Sequence, residues 1–179
     1  MRLKFLYVTI VPFVAASSCF AQDYCTYPKD KNSYYEGCFN SSNVVAIPAD
    51  VIAAILQSEE GKEGLESLAD SERAHPEKFF KARSLSLDRD KEQDFIVLGS
   101  GPFTGADNSW FWIVRQTPSA TKSVLWIGAI NVAVLKRRTH GLDDIESDWC
   151  SAAVCTTRRY KFGGAKYVAA WSKTSKQRP

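Results

Sequence analysis

His140 stands beside Asp143 and Asp144 in the run Thr139-His140-Gly141-Leu142-Asp143-Asp144-Ile145. An imidazole and a carboxylate this close can exchange a proton, so His140 with Asp144 is the pair suited to general acid–base hydrolysis. No motif supplies the serine or cysteine nucleophile that would accompany it. A glycine-containing turn, with an aspartate tying down local backbone N–H groups, explains the same residues without any chemistry. The other histidine, His75, precedes Pro76 and reads as a helix-end residue.

A second cluster of chemical interest runs from Ser86 to Asp94, with acids at Asp88, Asp90 and Asp94. Calcium loops of β-proteins place hard oxygen ligands at alternate positions, and these three aspartates match acidic positions of such a loop. Ser86 stands in place of the first acid and Lys91 in place of the glycine. The lysine adds a positive charge and loses easy access to φ > 0. The expectation is a loop that keeps its turn without the ion, and no cofactor is expected. The glycine-rich stretch Gly99–Gly105 departs from Gly-x-Gly-x-x-Gly and is followed by an aromatic run, not a helix. No helix dipole would receive a phosphate there, so a wide hairpin loop is the reading.

The cysteines belong with the N-terminus. Arg2 and Lys4 precede a 12-residue apolar run, Phe5 to Ala16, and small residues follow to Ala21. Such a run makes a helix of roughly 18 Å, short of the ~30 Å hydrocarbon core. It reads as a secretory signal cleaved after Ala21, with lipidation of Cys19 as a rival that lacks the usual preceding leucine. Cleavage leaves residues 22–179 with Cys25, Cys38, Cys150 and Cys155. An even count in an exported protein reads as disulfides. Of the three pairings, Cys25–Cys38 and Cys150–Cys155 are favoured, because each lies within one local segment. The spacings are not Cys-x-x-Cys and no histidine is near, which disfavours zinc or redox chemistry.

These residues must be positioned by a single domain. With 45% apolar and 24% charged residues the chain is globular in composition, and nothing beyond the leader is apolar enough to enter a bilayer. Residues 22–81 read as a stapled, helical lead-in. A helix starts near Pro48-Ala49-Asp50, with Val51, Ile52, Ile55 and Leu56 on its apolar face. Gly61 and Gly64 are expected to weaken or end it, and Pro76 to stop any continuation. Residues 82–171 read as a β-rich core of short runs, with Gly163-Gly164 as a two-residue hairpin signal. Residues 172–179 read as a basic tail. The fold class is α+β, an N-terminal helical segment packed on a mainly antiparallel sheet or small barrel. Trp110, Trp112 and Val114 alternate with Phe111 and Ile113, which predicts a strand covered on both sides. An exposed aromatic face that docks a glycan or a protein is the alternative.

Two of these stretches also carry a resemblance. Thr139-His140-Gly141-Leu142-Asp143-Asp144-Ile145 and Tyr160-Lys161-Phe162-Gly163-Gly164-Ala165-Lys166-Tyr167 follow the cadences Thr-x-Gly-x-x-Asp-Ile and Tyr-x-Phe-x-Gly-x-x-Tyr. Over residues 82–171 the chain resembles a loose group of small exported, largely uncharacterised bacterial proteins. The resemblance implies export and a β-rich domain, and it carries no catalytic residue.

Charge is unevenly distributed. Residues 22–114 carry a net −7 and residues 115–179 a net +8. A basic face for an acidic partner is one consequence; mutual neutralisation of the two halves is the other. Nucleic acid is a poor fit for an exported protein. The expected function is therefore a non-catalytic protein-binding module of the cell envelope, such as an inhibitor or immunity-type protein against an envelope-targeting enzyme. Its expected contact residues are Phe103, Asp107, Asn108, Arg137, Arg138, Arg158 and Arg159. A small hydrolase using His140 and Asp144, and a structural envelope component or glycan binder, are the alternatives.

Overall fold

A computed structural model describes residues 31–40, 43–88, 93–106, 108–151 and 153–176. Among the described residues nine strands form two open antiparallel sheets. Their ranges are β1 Lys31–Tyr34, β2 Phe80–Leu85, β3 Asp94–Gly99, β4 Ser109–Thr117 and β5 Ala120–Ala129, followed by β6 Asn131–Thr139, β7 Leu142–Cys150, β8 Val154–Phe162 and β9 Tyr167–Lys176. One sheet has the order β2-β3-β4-β5 and the other β1-β6-β7-β8-β9. Ile130 alone joins β5 to β6, so the chain passes from one sheet to the other at a single residue. The helices are α1 Ala49–Leu56, α2 Glu59–Glu66 and the single turn α3 Asp70–Arg73.

The expected α+β class holds in its coarse form, and neither sheet closes into a barrel. Alternation along β4 shows how the layers form. Phe111 and Ile113 point into a core between the two sheets, with Phe39, Ile96, Ile127, Val132 and Ile145. Trp112 and Val114 point the other way, into a second core with Val51, Ile55, Phe80 and Val97 beneath the helices. The four-stranded sheet is therefore covered on both faces, and all six residues of β3 are buried.

Several expectations are corrected. The lead-in contains a strand: β1 pairs with β6, through Ser33 opposite Ala133 and Tyr34 opposite Val132. Its sequence, Lys-Asn-Ser-Tyr, has neither the length nor the apolar alternation that marks a strand. Residues 172–176 of the expected basic tail are the second half of β9, which pairs with β8 as far as Lys176 opposite Val154. The Gly163-Gly164 turn is a four-residue connection, closed by Gly163 N–H donating to Lys166 O at 2.8 Å, with Phe162 opposite Tyr167.

Gly61 and Gly64 do not end a helix; they lie inside α2. Ser58 caps that helix, its Oγ accepting from Gly61 N–H at 3.1 Å. A Cβ on Gly61 would sit 2.0 Å from Ile55 O, and one on Gly64 would sit 2.4 Å from the Phe103 ring. Glycine at these sites lets α2 approach α1 and the loop after β3.

Candidate functional site

β5 is an edge strand of the four-stranded sheet. Beside it opens a cleft of about 620 Å³. One wall comes from β5 itself and its neighbour β4, through Trp126, Ile127, Gly128 and Trp110. The opposite wall comes from β7 and β8. There Ile145 faces Tyr160, Ser147 faces Arg158 and Trp149 faces Thr156 in register. Ile145 and Tyr160 belong to the core between the sheets. The alternation of the strands therefore carries Ser147, Trp149, Thr156 and Arg158 onward along the same face, past the end of the core. Gly105 and Asn108, from the loop before β4, close one end.

The indoles form a connected series. Trp112 is fully buried, Trp110 meets it with ring centroids 6.1 Å apart, and Trp126 meets Trp110 edge-on at 5.4 Å. Gly128, opposite Trp110 in the register, has no side chain to contest that space. Gly105 is constrained too, since a Cβ there would lie 3.1 Å from Trp110 Nε1. Trp149 stands alone on the far wall, 39% exposed. The core thus fixes two indoles in edge-on packing, and the rim presents a third.

Polar groups in the walls are left without partners. Asn108 Oδ1 and Trp126 Nε1 are buried and make no hydrogen bond among the described residues. A buried acceptor or donor without a partner costs about 1–3 kcal/mol. Arg158 is exposed, has Ser147 and Ser172 as its cross-strand neighbours, and makes no ion pair among the described residues. The described lining contains no carboxylate.

The residues expected to contact a partner separate sharply. Asn108 and Arg158 meet in this cleft. Phe103 does not reach the surface: it is fully buried, packs 4.5 Å from Phe80 and fills the space Gly64 leaves. Asp107 lies outside the described residues. Arg137 approaches Asp144 at 3.6 Å, Arg138 binds Asp143 at 2.8 Å, and Arg159 binds Glu146 at 2.8 Å and stacks over Trp171. Those three arginines serve the sheet's own acids.

The acid–base pair is likewise dispersed. His140 and Gly141 form the turn between β6 and β7, with φ of 50° and 87°. Positive φ at both central residues is the hairpin geometry that matches strand twist. The His140 ring shares a hydrogen bond with Phe162 O through Nδ1 at 2.7 Å. Asp144 is fully buried beside Arg137 and makes no hydrogen bond or ion pair with His140.

The aspartate loop is built around Asp94, whose carboxylate accepts from Leu87 N–H at 3.0 Å and Gln116 N–H at 3.3 Å. Burial pushes its carboxyl up to about 6, against the lowering effect of those bonds. Asp88 pairs with Arg115 at 2.6 Å, and Asp90 lies outside the described residues. The two described carboxylates thus bind protein groups, and residues 89–92 of the loop lie outside the described residues. Among the described residues no cluster of three or more histidine, cysteine or acidic side chains suits a metal.

Cys150 and Cys155 are disulfide-bonded across β7 and β8, directly opposite in register with Cα atoms 4.0 Å apart. Cys38 is also disulfide-bonded, and Cys25 lies outside the described residues. Among the described residues no helix is long and apolar enough to cross a membrane. Cys19 and the leader fall outside them.

Sequence reasoning missed most of the cleft. Its signal was the tryptophan content around Trp110 and Trp126, which fits a core strand equally well; Trp149 and Arg158 join only through the pairing of β7 with β8. No protein-family model, curated protein or solved structure matches this chain.

Proposed function

We propose that this protein is an exported, non-catalytic binding module and that the tryptophan cleft is its ligand site. The carrying observation is the convergence of Asn108, Arg158 and three indoles on one concave surface of about 620 Å³. That volume lies within the range of small-ligand sites, and the mixture of apolar walls with a few polar groups is typical of them. The dispersal of His140 and Asp144 into a turn and an ion pair supports the absence of hydrolytic chemistry there. Export is supported by the Cys150–Cys155 bridge, a bond favoured in oxidising compartments, and by the basic and apolar leader.

The test is a fragment screen read by amide and indole NMR. Fragments that bind are expected to move the indole N–H signals of Trp110, Trp126 and Trp149 together, with no compound converted. Binders that gather elsewhere on the surface would refute the assignment of the cleft. Turnover of a substrate that His140→Ala abolishes would restore the hydrolase reading.

A further inference from the structure

We propose that the ligand of the cleft is an acidic saccharide, a sugar ring carrying a carboxylate or similar anion. The proposal rests on the binding-module reading and names its ligand class. Three features carry it. First, the indole on the rim is available to a ring: Trp149 is 39% exposed, and Trp126 and Trp110 line the opposite wall. A pyranose has an apolar C–H face that packs on an indole and a perimeter of hydroxyls that needs hydrogen-bond partners. An aromatic surface with an apolar body and a polar edge suits such an amphipathic ligand.

Second, the polar residues of the lining, Asn108, Ser147 and Thr156, suit the perimeter. Asn108 Oδ1 is a buried acceptor without a donor, and Trp126 Nε1 a buried donor without an acceptor. Ser147 and Thr156 add hydroxyls in the same wall.

Third, among the described lining residues the charge is single and positive. Arg158 and Arg159 are consecutive, so strand alternation sends them to opposite faces. Arg159 is matched by Glu146 directly across the strand pair, while Arg158 is matched by Ser147. The guanidinium therefore keeps its donors for a planar anion, which it can bind through two parallel hydrogen bonds. The same cation disfavours a quaternary ammonium, the other ligand class that aromatic cages take.

The experiment is titration of the full mature chain, followed by tryptophan fluorescence and calorimetry. The probes are a galacturonic acid trisaccharide, the matching neutral galactose trisaccharide and an acidic tripeptide. The uronate is expected to bind and to perturb the indole emission. Arg158→Gln is expected to weaken the uronate roughly ten- to a hundredfold, the worth of a charge-assisted contact. Trp149→Phe, which keeps an aromatic ring on the rim, is expected to retain uronate binding that Trp149→Ala loses; both sites are exposed, and melting curves check that the variants fold. Equal binding of neutral and acidic sugars, or indifference to Arg158→Gln, overturns the acidic saccharide. Peptide binding that perturbs the indoles, with neither sugar bound, overturns the saccharide class and leaves the binding module standing. If no probe binds and the fragment screen leaves the three indole signals unmoved, both proposals fall.

Discussion

Gly61→Ala should destabilise this protein, although helix propensity alone gives the opposite sign. Alanine is favoured over glycine inside a helix by about 0.8–1.0 kcal/mol. At Gly61, however, the new Cβ would stand 2.0 Å from the carbonyl oxygen of Ile55, a backbone atom that cannot swing aside. Relief requires α1 and α2 to separate by about 1 Å or more, because Cβ atoms essentially never approach within 3.0 Å of a neighbour. Ile55 and Val51 are fully buried beneath α1, so the separation loosens the core under the helices. Overpacking of this kind costs about 1–3 kcal/mol and sometimes more, which outweighs the propensity gain. A net loss of about 1 kcal/mol is expected, or a fall in Tm of roughly 2–4 °C for a chain of this size. The assay is thermal and urea unfolding of Gly61→Ala beside Glu63→Gly. Glu63 is exposed on the same helix, so its replacement should cost only the propensity, about 1 kcal/mol. A Gly61→Ala protein as stable as the parent, or more stable, would refute the close-approach argument.

Other consequences follow from the same geometry. Asp94 has its carboxyl raised by burial from 3.8 to about 6, so the folded state binds a proton more tightly than the unfolded chain. Its contribution to stability must fall as pH rises from about 4 to about 6, by up to roughly 3 kcal/mol, and Asp94→Asn should flatten urea midpoints across that window. Asp50 has its carboxyl lowered, chiefly by the Thr121 hydroxyl and next by Gln116; its contribution is present above pH 3.8 and lost further into acid, so Asp50→Asn should blunt acid unfolding there. Replacing both Cys150 and Cys155 by serine opens a loop with a sequence separation of five, and should cost about 2 kcal/mol in equilibrium unfolding. Phe103→Ala should cost about 3–5 kcal/mol by the same measurement; a change below 1 kcal/mol would return Phe103 to the surface role expected from sequence.

What was legible in the sequence was local. Pro48 and Asp50 mark the start of α1, because proline suits the first turn and an acid suits the positive end of the dipole. The Cys150–Cys155 bridge was legible because a short loop leaves two strands whose ends must face each other. Phe103 and the two α2 glycines were not legible. Each is explained only by another segment: Phe103 by Gly64, and Gly61 by Ile55. β1 was hidden for a related reason, since a four-residue polar strand exists only because β6 offers an edge to pair with. The cleft lies at the end of that list, because it requires the order of both sheets.

The division of charge along the chain shows how such an order changes a sequence argument. A net +8 over residues 115–179 suggests a basic face, yet the sheet distributes those charges by pairing. Asp143, Asp144 and Glu146 stand along β7 and take Arg138, Arg137 and Arg159; the last acid, Asp148, accepts from Thr157 Oγ1 at 2.7 Å. Asp88, from the acidic half, takes Arg115. The two halves therefore neutralise each other in part, and in part each neutralises itself. Arg158 escapes because period-two alternation places it opposite serines, one residue away from a carboxylate on the other face. A one-residue slip of β8 against β7 that set Arg158 against Glu146 would set Arg159 against Ile145, so the two arginines would change faces. The disulfide opposes that slip, since Cys150 and Cys155 are joined only in the observed register. The bridge at the strand ends thus helps hold Arg158, which makes no ion pair among the described residues, on the face that carries Trp149.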